Sequence, residues 1–309
     1  MLAVVLAIGA GLGAGCGDAS PSRHRSAATA RPDPASGTAG RLVDIGGGRS
    51  LFLQCTGSGR PVVVLEGGGA GYAAQWQDVQ QQLGRSTRVC AYDRAGAGRS
   101  LPTHGVRDAR DELADLRRLL DRAPIDPPYV LVGHSYGGVL ARVFAHENPT
   151  RVAGLVLIET MGRDGRRRQL AIWPASQATE IRDRLATTMI DDIDLAVGEA
   201  LASRIRTLGD TPLVVVDAAR QKSFAVKPAR LQHRLRGLWA RMHDELARLS
   251  DDSVHVTALR SDHDVASAQV GQPDVVIGAV QAVVRAVRAR ARLAPCARIF
   301  AGPDVRCHG

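Results

Sequence analysis

The chain has 309 residues, of which 45% are hydrophobic and 23% charged, a composition typical of a globular protein with a sizeable core. Only 4% of the residues are aromatic, which argues against stacking platforms for single-stranded nucleic acid, so no nucleic-acid partner is expected. The net charge of +9 is compatible with an anionic membrane surface, but arginines scattered along helical segments are more often solvated helix faces.

The N-terminus is similar to a bacterial export leader, predicted over residues 1–16. Its first fifteen residues are uncharged and mostly apolar, too short for a transmembrane helix but typical of a secretory hydrophobic segment. Small residues precede Cys16, as in lipoproteins, although Gly13 stands where such sites usually carry Leu and no basic residue precedes the segment. We expect an extracytoplasmic protein, secreted or anchored to the cell membrane by a lipid on Cys16. An unprocessed N-terminus is the alternative.

Residues 17–40, rich in Ser, Ala, Pro, Gly and Arg, are predicted to be a flexible linker. Short apolar runs then alternate with helical patterns over residues 41–295, which predicts an α/β domain with a mostly parallel sheet flanked by helices. The predicted strands are 51–55, 62–65, 87–92, 129–132, 152–158, 213–216 and 254–259. The predicted helices are 75–84, 108–122, one that follows Gly138 and ends at about Glu147, and 274–292. Residues 160–210 show helical pieces without a convincing strand and are predicted to be a helical cap insertion, and residues 296–309 a C-terminal tail.

One short motif, Gly133-His134-Ser135-Tyr136-Gly137, follows a predicted strand and precedes a predicted helix. In this G-x-S-x-G pattern the serine occupies a strained turn that exposes its Oγ, and the flanking glycines let neighbouring chain pass close by. The helix N-terminus favours the negative charge that develops there. Ser135 is therefore the predicted nucleophile.

Two further motifs precede this one, Leu65-Glu66-Gly67-Gly68-Gly69 and the run DRAGAGRS at residues 93–100, each after a predicted strand. In this order the three motifs resemble those of the α/β-hydrolase superfamily, including esterases, proline iminopeptidases and haloperoxidase-like hydrolases. The resemblance implies the α/β-hydrolase fold and an oxyanion hole formed by the backbone N–H groups of Tyr136 and Gly68. Glu66 departs from the His that family members usually carry, but the donor is backbone.

The resemblance also places a catalytic histidine late in the chain, in the loop after the last strand. His263 lies in such a loop and is the predicted base. His255 lies inside a strand and is expected to be structural. The remaining late candidates are His233, His243 and His308.

Two strands end in a carboxylate, so the triad acid has two main candidates. Glu159 ends the strand after the nucleophile helix, where one branch of the superfamily places its acid, and it is preferred. Asp217 at the end of a later strand is the main alternative, and Asp262 or Asp264 are others. No metal-ligand spacing is seen among the cysteines and histidines, and neither a metal nor a cofactor is predicted.

Four cysteines remain if Cys16 is lipidated, and an even number in an exported protein suggests disulfides. Cys296 and Cys307 are separated by a turn-forming Gly-Pro, which predicts a bridge between them. The superfamily's sheet order makes the strands of Cys55 and Cys90 neighbours, so a second bridge is expected there, although adjacent strands can place two side chains on opposite faces.

These features predict an exported serine hydrolase, carboxylesterase-like, that cleaves an ester through an acyl-enzyme intermediate. Its expected partner is a small-molecule ester or amide substrate. A proline iminopeptidase-like peptidase and a catalytically silent binding module of the same fold are the alternatives. The sequence indicates neither the acyl and alcohol groups nor the oligomeric state.

Overall fold

The structure is a computed structural model that describes residues 40–308 except 70, 175–188, 191 and 221–227. The predicted leader, Cys16 and almost all of the predicted linker lie outside the described residues. Within the described part of the chain, no helix has the length and apolar character needed to cross a membrane.

Strands and helices alternate along the described chain as the sequence predicts. The strands are β1 (Arg41–Gly46), β2 (Arg49–Thr56), β3 (Val62–Glu66), β4 (Val89–Tyr92), β5 (Arg107–Asp108), β6 (Tyr129–His134), β7 (Val152–Ile158), β8 (Met189–Ile190), β9 (Ile193–Asp194), β10 (Leu213–Ala218), β11 (Ser253–Ala258) and β12 (Val305–His308). The helices are α1 (Gln77–Leu83), α2 (Ala109–Arg122), α3 (Tyr136–Glu147), α4 (Gly165–Leu170), α5 (Leu195–Ser203), α6 (Ala229–Ala247), α7 (Pro273–Ala289) and α8 (Cys296–Ile299), with a 3₁₀ turn at Ala73–Trp76.

The main sheet of the described chain has nine strands in the order β1-β2-β4-β3-β6-β7-β10-β11-β12. From β4 to β11 all neighbouring strands are parallel, and antiparallel strands are confined to the two edges. Every residue of β3, β4 and β6 is buried, as expected for strands covered on both faces. The predicted α/β fold with a mostly parallel sheet is confirmed.

Two hydrophobic clusters, one on each face of the sheet, fix the helices against it. One contains apolar residues of α2 and α3, such as Leu116 and Leu140. The other contains residues of α1 and α7, such as Val79 and Val280. Both clusters contain residues of β3 and β6, so the middle strands are held from both sides and their carboxyl ends are fixed in space.

The segment predicted as a helical cap, residues 160–210, differs in part from the prediction. Its described residues include α4 and α5, but also the short strands β8 and β9, which form a small sheet with β5. Sequence periodicity cannot reveal strands of two residues, because alternation needs a longer run. Helix α5 packs against α2 and α3, and a Cβ at Gly198 would lie 3.0 Å from the phenol oxygen of Tyr136. The segment therefore borders the predicted nucleophile turn.

The C-terminal residues predicted as a separate tail are part of the main sheet, which corrects that boundary. Residues 305–308 form β12 and pair antiparallel with β11, where His308 faces His255. The Cys296–Cys307 bridge joins β12 to α8, with an S–S distance of 1.93 Å. A four-residue strand without a fully buried residue gives little sequence signal, and its pairing depends on β11.

The second bridge joins neighbouring strands at a single register position. Cys55 of β2 and Cys90 of β4 are direct partners in the antiparallel ladder, and their Cα atoms are 4.1 Å apart. Directly opposed residues project to the same face of a sheet, which removes the uncertainty about the two faces. Both predicted cysteine pairs are therefore within bonding distance in the structure.

We expect the tail bridge to stabilise the protein by restricting its unfolded chain. Its cysteines are 11 residues apart, and closing a loop of that size contributes about 3 kcal/mol in the chain-entropy description. The double variant Cys296→Ser/Cys307→Ser should therefore show a lower free energy of unfolding in urea. Reducing agent should lower the free energy of unfolding of the wild type. It cannot act on the tail of the variant, which has no cysteine there. Alkylation of both native thiols without reduction would contradict the bridge.

Candidate active site

Ser135 sits at a sharp turn between β6 and α3. Its backbone has φ 53° and ψ −121°, a conformation that costs energy for any residue other than glycine and that persists only where the surroundings impose it. Its N–H donates to the carbonyl of Ile158 at 2.9 Å, and its carbonyl accepts a bond from the Thr160 hydroxyl at 2.7 Å. The end of β7 therefore holds the turn in its strained shape.

The glycines on either side of this turn are required by close backbone contacts. A Cβ on Gly133 would lie 2.5 Å from the carbonyl oxygen of Gly137, and a Cβ on Gly137 would lie 2.4 Å from the carbonyl oxygen of Glu66. The second contact places the glycine loop after β3 directly against the first turn of α3. The G-x-S-x-G spacing thus lets nucleophile turn and glycine loop approach each other.

His263 and Glu159 are brought together from different parts of the chain. His263 lies in the loop after β11, and its Nδ1 is 3.2 Å from the Glu159 Oε2. Glu159 directly follows β7 with φ 47° and is buried. Its Oε1 accepts the Ala218 N–H at 2.7 Å and the Trp239 indole N–H at 3.1 Å. The carboxylate is thereby aimed at the imidazole.

Electrostatics suit His263 to the role of a base. Burial alone would lower the pKa of its imidazole, but the hydrogen bond to Glu159, the charge of that carboxylate and the charges of Asp264 and Asp262 together raise the pKa above its ordinary value. When Nδ1–H donates to Glu159, the neutral ring leaves Nε2 as an acceptor. This is the tautomer that can receive a proton from a hydroxyl.

His134, inside the nucleophile motif, connects Ser135 to the histidine loop. Its Nε2 is 2.9 Å from the carbonyl oxygen of His263, and the two imidazole centroids are 4.8 Å apart. Burial lowers the pKa of His134 to about 3, so the ring is neutral and its Nε2–H donates to that carbonyl. The residue before Ser135 therefore positions the loop that carries the base.

Asp217, the alternative acid, is engaged elsewhere. Its Oδ1 lies 3.3 Å from Nε2 of His255, whose Nδ1 is 2.9 Å from Asp244. Burial would raise the pKa of Asp217, but the hydrogen bond from His255, the charges of His243 and His255 and the hydrogen bond from Thr257 together lower it. His255 is thus a hydrogen-bonded histidine inside β11. Its ring stacks on that of His308, with 4.0 Å between the two ring centroids.

Of the other candidates from the sequence, His233 and His243 lie on α6, whereas Asp262 and Asp264 flank His263 in the chain. His243 is buried in α6 with its Nδ1 bonded to the Trp239 carbonyl, and His233 is exposed on the same helix. Asp262 accepts the backbone N–H of His263 at 2.8 Å. Among the described residues, Asp217, His255 and His308 bring ligand atoms within 4.8 Å of one another, but both ring nitrogens of His255 already face carboxylates.

The two backbone N–H groups that are predicted to form the oxyanion hole differ in their hydrogen-bond partners. Tyr136 is the first residue of α3, so its N–H has no acceptor within the helix. A Cβ on Gly68 would lie 3.0 Å from the Cβ of Ser135, which places Gly68 beside the nucleophile. Its N–H, however, donates to the Gln75 Oε1 at 2.9 Å, and the Gln75 Nε2 donates back to the Gly68 carbonyl at 3.2 Å.

A buried ion pair stabilises the glycine loop that follows β3. Glu66 accepts bonds from Arg94 at 2.6 Å and from the Tyr92 hydroxyl, and Arg94 also donates to the Gly67 carbonyl at 2.8 Å. Arg94 and Glu66 are almost completely buried. Burial raises the pKa of the Glu66 carboxyl, an effect that Arg94 and Tyr92 oppose. The glutamate that replaces the usual histidine therefore anchors the loop.

Sequence reasoning did not identify three residues that contribute to this site: Gln75, His134 and Trp239. Only His134 offered a signal, because it lies inside the G-x-S-x-G pattern. Gln75 and Trp239 act through contacts with residues distant in sequence, as in the bond between Trp239 and Glu159.

Comparisons with known proteins identify the family and the fold. A family model described as alpha/beta hydrolase fold matches residues 60–227, more than half of the chain. The chain is 25% identical over 218 residues to the uncharacterized protein YqjL of Bacillus subtilis, covering 68% of this chain and 79% of that one. It is 38% identical over 126 residues to the 2-hydroxy-6-oxo-2,4-heptadienoate hydrolase of Pseudomonas putida, covering 40% and 45%.

Solved structures show the same fold. The thermophilic esterase of Thermogutta terrifontis matches with a TM-score of 0.55 and 21% identity, covering 81% of this chain and 99% of that one. This chain spans between 18% and 79% of the length of the first two curated relatives that it matches.

The two candidate acids give a direct test. Glu159→Gln keeps an oxygen for Ala218 and Trp239 but turns an amide toward His263, so we expect kcat on a chromogenic ester to fall by about 10⁴. The acid limb of the kcat/KM profile should move to lower pH, because the carboxylate that raises the pKa of His263 is gone. The matched variant Asp217→Asn should keep kcat and the acid limb. Loss of kcat only in Asp217→Asn would reverse the assignment.

Proposed function

This chain belongs to the alpha/beta-hydrolase fold family, and we propose that within it the protein is a serine hydrolase that cleaves esters. The observation that carries the proposal is the hydrogen-bonded pair of His263 and buried Glu159 beside the strained turn of Ser135. A positive φ on a non-glycine residue, held in place by hydrogen bonds, is typical of a functional position.

In the proposed mechanism, the Ser135 Oγ attacks the carbonyl carbon of the ester while the His263 Nε2 takes the hydroxyl proton. The imidazolium that forms is stabilised by Glu159, which stays ionised. The new oxyanion is bound by the Tyr136 N–H at the N-terminus of α3 and by the Gly68 N–H. Gly68 becomes available when the substrate oxygen takes the place of the Gln75 Oε1, an exchange of one acceptor for another.

The second half of the reaction uses the same groups. His263 gives its proton to the leaving alcohol as the carbon–oxygen bond breaks, which leaves an acyl group on Ser135. Water then loses a proton to His263 and attacks the acyl carbon, and collapse of the second intermediate returns the proton to Ser135. Retention of both the orienting carboxylate and the base supports this reaction over a silent binding module.

Two described carboxylates near α4 and α5, Glu199 and Glu245, support an ester over the substrate of an aminopeptidase. A peptidase of the proline iminopeptidase kind needs an unpaired anionic group to hold the substrate amine. Glu199 is paired in a bidentate manner with Arg166, and Glu245 is paired likewise with Arg168. Since these two carboxylates are already neutralised, the ester remains the proposed substrate.

Covalent labelling tests the nucleophile. A fluorophosphonate should label the wild-type protein at Ser135 and fail to label Ser135→Ala, because only an activated serine reacts. Ser86→Ala is the matched control, since the Ser86 hydroxyl only bonds the Leu83 carbonyl, and it should label like the wild type. Peptide mapping locates the adduct, and an ester series of increasing acyl length then identifies the preferred acyl group. Labelling that persists in Ser135→Ala would refute the proposal.

We further propose that the protein is exported and anchored by a lipid on Cys16. The apolar segment before Cys16 and the two cysteine pairs at bonding distance support an oxidising, extracytoplasmic location. A lipidated Cys16 should place the esterase activity in the membrane fraction, and Cys16→Ser should release it. Equal partition of both forms between membrane and soluble fractions would remove the anchor from the proposal.

A further inference from the structure

A cavity lined by four arginines lies apart from the proposed catalytic residues. It has a volume of about 230 Å³ and is formed by the C-terminal part of α3, the ends of α5 and α6, and the segment before α4. Its arginines are Arg142, Arg163, Arg206 and Arg248, its apolar wall is Ala202, Ile205, Leu246 and Leu249, and its one carboxylate is Glu245. None of these residues contacts Ser135, His263 or Glu159 through a hydrogen bond described above.

Arg142 is the unusual member of this cavity because it is buried without a counterion. Its relative exposure is 2%, and among the described residues it makes no ion pair. Its Nη2 donates to the Met161 carbonyl at 3.1 Å, whereas its Nε is buried without any partner. Burial lowers the pKa of this guanidinium to about 10. A buried cation without an anion is costly, so an anion beside it would be favoured.

The surrounding carboxylates do not supply that anion. Glu199, the charge that acts most on Arg142, is held by Arg166 at 2.6 Å. Glu245 is held by Arg168 at 2.6 Å. At the rim, Arg206 and Arg248 are exposed and form no ion pair in the described part of the chain, and Arg163 has Asp164 at 3.7 Å. The cavity therefore has a clear excess of positive charge.

We propose that this cavity is a binding site for a phosphate group. Guanidinium groups match the oxygens of a phosphate through paired N–H donors, and the free Nε of Arg142 supplies a donor at the buried end. The apolar wall would contact the carbon part of an attached group. The phosphate can belong to a free small molecule or to a lipid headgroup, which share this chemistry, and the site is independent of the proposed ester hydrolysis.

Calorimetric titration with inorganic phosphate at low ionic strength tests the site, because added salt screens the rim charges. The wild type should bind phosphate at least about tenfold more tightly than Arg142→Gln and than the rim variant Arg206→Gln/Arg248→Gln. Arg285→Gln, an exposed arginine on α7, is the control with one charge removed and should bind like the wild type. The rim variant keeps the test valid if Arg142→Gln does not fold.

Two further experiments distinguish a phosphate on a free small molecule from a phosphate in a lipid headgroup. Tighter binding of glycerol 3-phosphate than of inorganic phosphate indicates a free phosphoester. Capture by phosphatidylglycerol vesicles but not by phosphatidylcholine vesicles, lost in the rim variant and competed by phosphate, indicates a lipid headgroup. The inference is overturned if the wild type binds no phosphate, if the rim variant binds it as tightly, or if chloride at equal ionic strength competes equally.

Discussion

The carboxylate of Glu159 has to be satisfied where it is buried, and this requirement ties four separate parts of the chain together. Glu159 itself follows β7, and its oxygens bind the Ala218 N–H at the end of β10, the Trp239 indole on α6 and His263 after β11. An unpaired carboxylate in this position would cost several kcal/mol. The same three bonds that meet this need also fix the tautomer and direction of the imidazole. Stability and proposed catalysis therefore depend on one group.

The chain's own sequence predicts the residues at the strand ends. Ser135 could be identified because its glycine neighbours are needed for local close contacts, and a local requirement leaves a local pattern. Glu159 and His263 are predicted from the resemblance, which places the acid and the base after strands, and parallel strands bring their carboxyl ends to one edge. The structure brings these two side chains to 3.2 Å from each other, and their catalytic roles stay predictions.

Other features of the site depend on contacts that have no local pattern. The bond between Gly68 and Gln75 arises from the path of the chain between β3 and α1, and nothing in the glycine motif reveals it. Asp217 satisfies the same strand-end criterion as Glu159, and the two differ in their partners, because Glu159 meets His263 whereas Asp217 meets His255 in the neighbouring strand. Likewise, β12 is a strand because β11 offers it an open edge. These outcomes are decided by tertiary packing.

The pairing of Glu66 with Arg94 has a consequence for exchanging loops between members of this fold family. Glu66 and Arg94 are both almost inaccessible to solvent, and Arg94 also lies 3.5 Å from Glu112, which binds Arg107. A histidine at position 66 would leave Arg94 short of one negative charge within a connected set of buried ions. A transplanted loop without Glu66 would thus have to bring a replacement for Arg94 with it. The two positions have to be exchanged together, although 28 positions separate them in the chain.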